Sequence, residues 1–214
     1  MPEHDDQTHG ETRIHLRNEP VQARSTARLA ALLDAAAAII DEIGYERLTT
    51  AMVAERAGAS IGTVYRYFPD RIALLQALGA RNLERVVGRV GEAVLDPANG
   101  DLVSALEAAF GVLEHAFRTE PGFRSLRVGD VIDLRPRQSE RTFNAVVVDR
   151  MVDTAAERFG IPADEDTRFR FEVVLELSDA LASRSFALDP AGDSRFLQAA
   201  HDISLRQLID LVPA

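Results

Sequence analysis

Apolar residues return at helical spacing along almost the whole chain, and short turn signals cut that pattern into segments. Leu29, Leu32, Leu33, Ala36, Ile40 and Ile43 make one stripe at i, i+3, i+4, i+7 spacing, which predicts a helix over Ser25–Ile43 that stops at Gly44. Two short helical stretches lie either side of Gly58, and Phe68-Pro69-Asp70 then breaks the chain. Asp70 suits the N-cap of a long helix that runs through Leu74, Leu75, Leu78, Leu83 and Val87 to the neighbourhood of Val94. Asp96-Pro97-Ala98-Asn99-Gly100-Asp101 reads as a turn, after which Leu102, Leu106, Ala109, Phe110, Leu113 and Phe117 mark a further helix closed by Glu120-Pro121-Gly122. A short piece at Phe123–Leu126 leads into irregular chain as far as Pro136. Phe143, Val146, Val147, Met151, Val152 and Ala155 define the next helix, ended by Gly160-Ile161-Pro162. Asp164–Leu188 is helical, Asp189-Pro190-Ala191-Gly192 turns, and Asp193 caps a last helix through Phe196, Leu197, Ala200, Ile203, Leu208 and Leu211. No segment shows the alternation of a half-buried strand, so the pattern predicts an all-α protein of about nine helices.

The stretch Thr49–Arg71 carries the most specific chemistry. Ala54, Gly58 and Val64 fall where a helix-turn-helix needs a small residue at the helix crossing, a glycine free to take φ > 0, and an apolar plug. Ser60 is a good N-cap for the second helix, whose outward side carries Thr63, Arg66 and Tyr67 within reach of bases and phosphates. Gly58-Ala59-Ser60-Ile61-Gly62 also fits the Gly-x-Ser-x-Gly elbow of hydrolases with Ser60 as nucleophile, but that elbow needs a strand entering it, and Thr50–Ala57 reads as helix. No other enzyme motif is present.

The same residues resemble the tetracycline-repressor (TetR) family of bacterial transcription regulators over about Ser25–Leu75. The match consists of Gly44 ending the first helix, Thr49-Thr50 opening the second, the run Ala57-Gly58-Ala59-Ser60-Ile61-Gly62-Thr63-Val64-Tyr65-Arg66-Tyr67-Phe68, and the basic Arg71 opening the fourth. The resemblance implies that Ile61, Gly62, Thr63 and Arg66 face bases and that Thr50, Tyr65, Tyr67 and Arg71 face phosphates, with Thr49 and Ser60 completing the DNA-binding set at the helix starts. Ala51 stands where some members place a polar base reader, so direct readout is expected to rest on Arg66 and Thr63, Arg66 suiting the bidentate contact to guanine O6 and N7. Residues 24–72 are then the DNA-binding domain, 73–214 a ligand-binding and dimerisation domain, and 1–23 a polar tail expected to be disordered.

A net charge of −10 at first argues against nucleic acid, so its distribution matters. Residues 1–10 carry −3; residues 11–71 balance eight arginines against eight acids; residues 72–214 carry −7. The acidity therefore lies outside the reading head, and Arg13, Arg17, Arg24, Arg28, Arg66 and Arg71 sit at the two ends of the neutral segment. Absence of cysteine excludes disulfides and thiolate metal sites within the chain. His4, His9, His15, His115 and His201 show no metal-binding spacing, and no cofactor motif appears. No apolar run suits a signal peptide or a membrane span, so a cytoplasmic protein without membrane partner is expected.

Nine of the ten phenylalanines follow residue 100, in a region without Tyr or Trp. By the resemblance, Ala109, Phe110, Phe117, Phe143 and Phe186 surround an effector cavity, with Arg124 and Arg127 at its edge, and a mainly apolar small molecule is the expected ligand. The last two helices are apolar on more than one face, which calls for a second partner. The resemblance makes them a homodimer interface through Phe171, Leu175, Phe196, Ala200, Ile203 and Leu208. Such a twofold axis sets two reading heads about 34–36 Å apart, one turn of a palindromic duplex. The expected function is thus a ligand-responsive repressor of a palindromic operator; the alternatives are an effector-independent activator or architectural DNA binder and, more remotely, a hydrolase using Ser60.

Overall fold

The structure is a computed structural model that describes residues 19–128, 143–187 and 189–212. The residues before 19 and, of the predicted irregular stretch as far as Pro136, those from 129 on lie outside that description. The helices are α1 (Glu19–Ile43), α2 (Thr50–Arg56), α3 (Ile61–Tyr67), α4 (Arg71–Leu95), α5 (Leu102–Thr119), α6 (Phe123–Val128), α7 (Phe143–Phe159), α8 (Glu165–Phe186) and α9 (Ser194–Leu208). No strand occurs among the described residues, so the all-α expectation holds. Several boundaries differ from the sequence reading: α6 runs on to Val128, past the expected Leu126, and α8 spans Glu165–Phe186 within the expected Asp164–Leu188. α1 begins at Glu19, six residues before Ser25, so residues 19–23 of the expected tail are helical; Pro20 in the first turn lacks only an N–H that has no intrahelical partner there. At the other end, α9 closes at Leu208 and tightens into a 3-10 turn over Ile209–Leu211.

Aspartates start α4, α5, α8 and α9. Asp70, Asp101, Asp164 and Asp193 each accept a bond from a backbone N–H in the first turn of the helix that follows, and Asp101 forms a reciprocal capping box with Ser104. One core cluster gathers the amino-terminal helices around Leu32, Ile39, Ile40, Val53, Val64, Leu74 and Leu78, and it includes Leu126 from α6. A second joins α5, α7, α8 and α9 through Leu106, Val152, Phe171 and Leu208. A third stacks Phe117, Phe123 and Phe186 between α5, α6 and α8. α4 runs through the first and third, which makes it common to both domains.

The turn between α5 and α6 is the main seam between these bodies. Gly122 takes φ +74, and it packs at ordinary contact distance on both helices: a Cβ there would lie 3.5 Å from Leu78 and 3.6 Å from Ala37. Its N–H donates to Asp41 of α1 at 2.9 Å, and the amide of Asn82 on α4 donates to the Pro121 carbonyl at 2.9 Å. Glu120 accepts from Arg85 at 3.3 Å and Arg89 at 2.7 Å, both on α4. The turn is therefore held by polar groups from both α1 and α4.

Candidate nucleic-acid interface

The reading head is built on a rigid base. α2 is capped by Thr49, whose hydroxyl accepts from the Met52 N–H at 3.2 Å, and ends in a turn where Gly58 takes φ +58. α3 starts at Ser60, whose hydroxyl accepts from the Thr63 N–H at 3.1 Å and lies 3.0 Å from the Thr63 hydroxyl. Val64, fully buried, plugs the wedge between the two helices, and Ala54 is 5% exposed at their crossing. With one edge of α3 fixed inward, its other side turns out: Ile61 is 43% and Tyr65 52% exposed, and Ser60, Gly62 and Arg66 are exposed as well. A helix precedes Ser60 where the hydrolase elbow requires a strand, and its hydroxyl is spent on a cap; the nucleophile reading loses its geometry.

Not all the expected phosphate-facing groups are free. Thr50, half-buried at the start of α2, donates its hydroxyl to the Tyr65 hydroxyl at 3.3 Å, which joins two of them across the helix pair. Tyr67 instead turns to α1: its hydroxyl lies 3.0 Å from the Ser25 hydroxyl and donates to the Ser25 carbonyl at 3.3 Å. The Arg66 guanidinium sits over the Tyr67 ring, 5.3 Å from its centroid, which orients the chief candidate base reader. Arg71 folds back so that Nη2 donates to the Tyr45 carbonyl at 2.5 Å. Tyr45 and Phe68 are core residues, at 9% and 4% exposure.

Three of the acids between the two basic ends of the head, Asp34, Asp41 and Glu42, are occupied elsewhere. Glu42 takes two bonds from Arg56, at 2.6 and 2.7 Å, and the bond from that guanidinium holds its carboxyl below the usual range. Asp34 pairs with Arg81 at 2.7 Å and Asp41 serves Gly122. Arg24, Arg28 and Arg66 are left exposed and outside any ion pair among the described residues.

Residues 32–78 match the family model for bacterial regulatory proteins of the tetR family, and residues 100–212 match the tetracyclin repressor-like C-terminal domain. The chain belongs to the TetR family. A TetR-family transcriptional regulator from Streptomyces coelicolor of known structure is 31% identical, with a TM-score of 0.69, covering 86% of this chain and 99% of that one. The transcriptional repressor KstR of Mycolicibacterium smegmatis is 38% identical over 90 residues, 42% of this chain, and the match spans only 43% of that relative's length. The transcriptional regulator UidR of Escherichia coli is 26% identical over 175 residues, 78% of this chain and 86% of that protein.

In the TetR-family C-terminal region the expected effector residues pack into two different clusters, Phe110 in one and Phe117 with Phe186 in the other. Phe117 and Phe186, each 2% exposed, stack with ring centroids 4.9 Å apart and 5° between planes, while Phe123 meets Phe117 edge-on at 5.0 Å. Ala109 is half-buried on α5, and Phe110 meets the His201 ring at 5.6 Å, on a different face. Arg127 is paired with Asp179 on α8. Phe143 opens α7, and its side chain lies outside the described residues. A cleft of about 180 Å³ does open beside Phe117, but Asp41, Arg118, Thr119, Glu120, Arg124 and Ser125 line the rest of it. Its polar lining departs from the apolar one expected. Helical spacing brings these phenylalanines to one region without telling which of them meet each other.

The expected dimer residues divide in a similar way. Phe171, Ala200 and Leu208 are 4%, 1% and 0% exposed within the single chain, so they lie inside the protomer and cannot touch a partner. Leu175 packs partly on the same core, and Phe196 lies under Arg184 at 5.7 Å. Ile203, half-buried and part of no core cluster, keeps surface to offer. A helix apolar on two faces announces two partners, but its periodicity does not say which face meets the protomer's own core. Asp41, Asn82 and Glu120 escape a reading of the sequence alone. Asn82 carries a signal, since it stands at i+4 from Leu78 and i−4 from Val86 on the buried stripe of α4, where a polar side chain needs a partner.

Proposed function

We propose that the protein is a dimeric, ligand-responsive repressor of a palindromic operator. The observation that carries this reading is the capped recognition helix: α3 is locked on its inner side by Val64 and presents Ile61, Gly62 and Arg66 outward beside the half-buried Thr63, on a head where Asp34 and Glu42 are already paired. Arg66 reads a guanine, and Tyr65 with Thr50 contacts the phosphate beside it. Two heads are set one helical turn apart by a dimer formed through the outer faces of α8 and α9, with Ile203 among the contact residues. A small-molecule effector in the α5–α8 region shifts the protein between two arrangements and, through α4, changes the separation of the heads. An apolar effector would have to part the Phe117–Phe186 stack, whereas a ligand with a polar end could use the Arg124 cleft.

Selection from a random duplex pool, followed by footprinting, tests the reading. A protected palindrome with two half-sites is expected, and Arg66→Ala should relax preference at one position per half-site at a cost of about 1–3 kcal/mol. Equal binding to all sequences by the wild-type protein would defeat the specific-regulator reading.

A further inference from the structure

We infer that the amino-terminal half of α1 is a second surface for duplex phosphates, with Arg24 and Arg28 as its charged groups and Tyr67 as the residue that positions it. This rests on the head being a DNA binder. The two bonds between Tyr67 and Ser25 tie the last residue of the recognition helix to α1 across a separation of 42 residues. Arg28 lies three residues beyond Ser25 and therefore shares its helix face. Arg66 rests on the Tyr67 ring, so Arg66, Tyr67, Ser25 and Arg28 follow one another along a single surface that begins at the base reader.

The charge arrangement points to an anionic partner on that surface. Arg24 and Arg28 are exposed and four residues apart, a like-charge spacing that destabilises a helix when nothing neutralises it. The positions three and four residues either side of each hold no acid: they are Pro20, Val21, Ala27, Ala31 and Leu32, besides Ser25 and the two arginines themselves. Arg56 is committed to Glu42, Arg81 to Asp34, and Arg85 and Arg89 to Glu120, whereas Arg24 and Arg28, like Arg47 and Arg66, stand outside any ion pair among the described residues. A duplex seated on α3 would bring its backbone past α1 and supply the missing negative charge. The tyrosine that the family resemblance placed on a phosphate thus holds, through Ser25, the helix that carries the two arginines.

The test uses the full-length protein and a duplex selected from a random pool with the wild-type chain, with affinity read by fluorescence anisotropy between 50 and 200 mM salt. The double variant Arg24→Ala/Arg28→Ala should make the slope of log affinity against log salt shallower by about 0.9 for each phosphate no longer neutralised, with base preference unchanged. Tyr67→Phe, which keeps the ring under Arg66 but removes the Ser25 bonds, should shift the slope in the same direction by a smaller amount. Arg56→Ala, whose guanidinium is already neutralised, should leave the slope in place. A double variant with the wild-type slope overturns the inference, and so does a double variant whose base preference changes. Wild-type protein that binds no duplex ends the DNA reading itself and this inference with it; wild-type binding with an unchanged double variant ends only the inference.

Discussion

Gly192 and Gly58 both adopt left-handed backbone, at φ +84 and +58, yet an added methyl group meets different surroundings at each. At Gly58 a Cβ would find nothing within 4 Å, so Gly58→Ala adds only the backbone strain of a left-handed alanine, about 1–2 kcal/mol. At Gly192 the same Cβ would lie 2.8 Å from both Cε1 and Cζ of Phe186 and 3.2 Å from the Ser185 hydroxyl. The ring cannot retreat, because it is stacked on Phe117 at 4.9 Å and covered by the Arg118 guanidinium at 5.6 Å. Overpacking of this kind costs about 1–3 kcal/mol, which brings Gly192→Ala to about 2–5 kcal/mol in all. Urea unfolding followed by far-ultraviolet circular dichroism should show the larger midpoint shift for Gly192→Ala at an unchanged slope. Equal losses for the two variants would show that the Phe186 ring yields freely, and would refute the rigid aromatic cluster.

Three further outcomes follow from the same geometry. On the proposed dimer reading, Ile203→Glu should leave the chain monomeric in sedimentation equilibrium with the helical spectrum intact, and a dimer that persists would place the interface elsewhere. Asp193, held at about 2 by the Arg195 side chain and then by its backbone N–H, and Asp101 and Asp164, lowered chiefly by first-turn N–H bonds, all have folded values below the unfolded carboxylate. The contribution of each is complete above the ordinary carboxylate range, about 3.9, and is lost as pH falls below it, for Asp193 through about 2. The starts of α5, α8 and α9 should therefore loosen in acid, and Asp193→Asn should flatten the part of an acid titration that belongs to α9. Tyr65→Phe, which removes the hydroxyl that Thr50 reaches, should weaken binding to all duplexes alike, and a change confined to one base position would move Tyr65 from the phosphate to the base-reading set.

The helices, their order and their aspartate caps are legible in the chain because each is a local property: stripe spacing, a capping side chain, a glycine at a turn. The recognition helix is legible for the same reason, since Ala54, Gly58, Ser60 and Val64 lie within eleven residues. What escapes is every contact set by tertiary approach. Nothing local tells that Tyr67 turns to Ser25, that Arg71 folds onto the Tyr45 carbonyl, or that Phe171 and Leu208 face inward while Ile203 does not. Spacing alone puts Leu83 and Val87 on the apolar stripe of α4, and the structure buries Asn82 and Val86 instead, because the angular drift of a long helix is settled by its neighbours.

The α5–α6 turn bears on how such regulators can be recombined. The C-terminal half meets the amino-terminal head through α4, which both share, through Arg81 bonded to Asp34 and Ala30 on α1, and through the turn, where Asp41 and Ala37 face Gly122 and Leu126 enters the head's core. A joint that rests on so few side chains makes the two halves exchangeable where those positions match. A head taken from another member would accept this sensor if it supplied a carboxylate at 41 and a small residue at 37, whereas a head with a bulky side chain at 37 would press on Gly122 and be uncoupled however well it folded on its own.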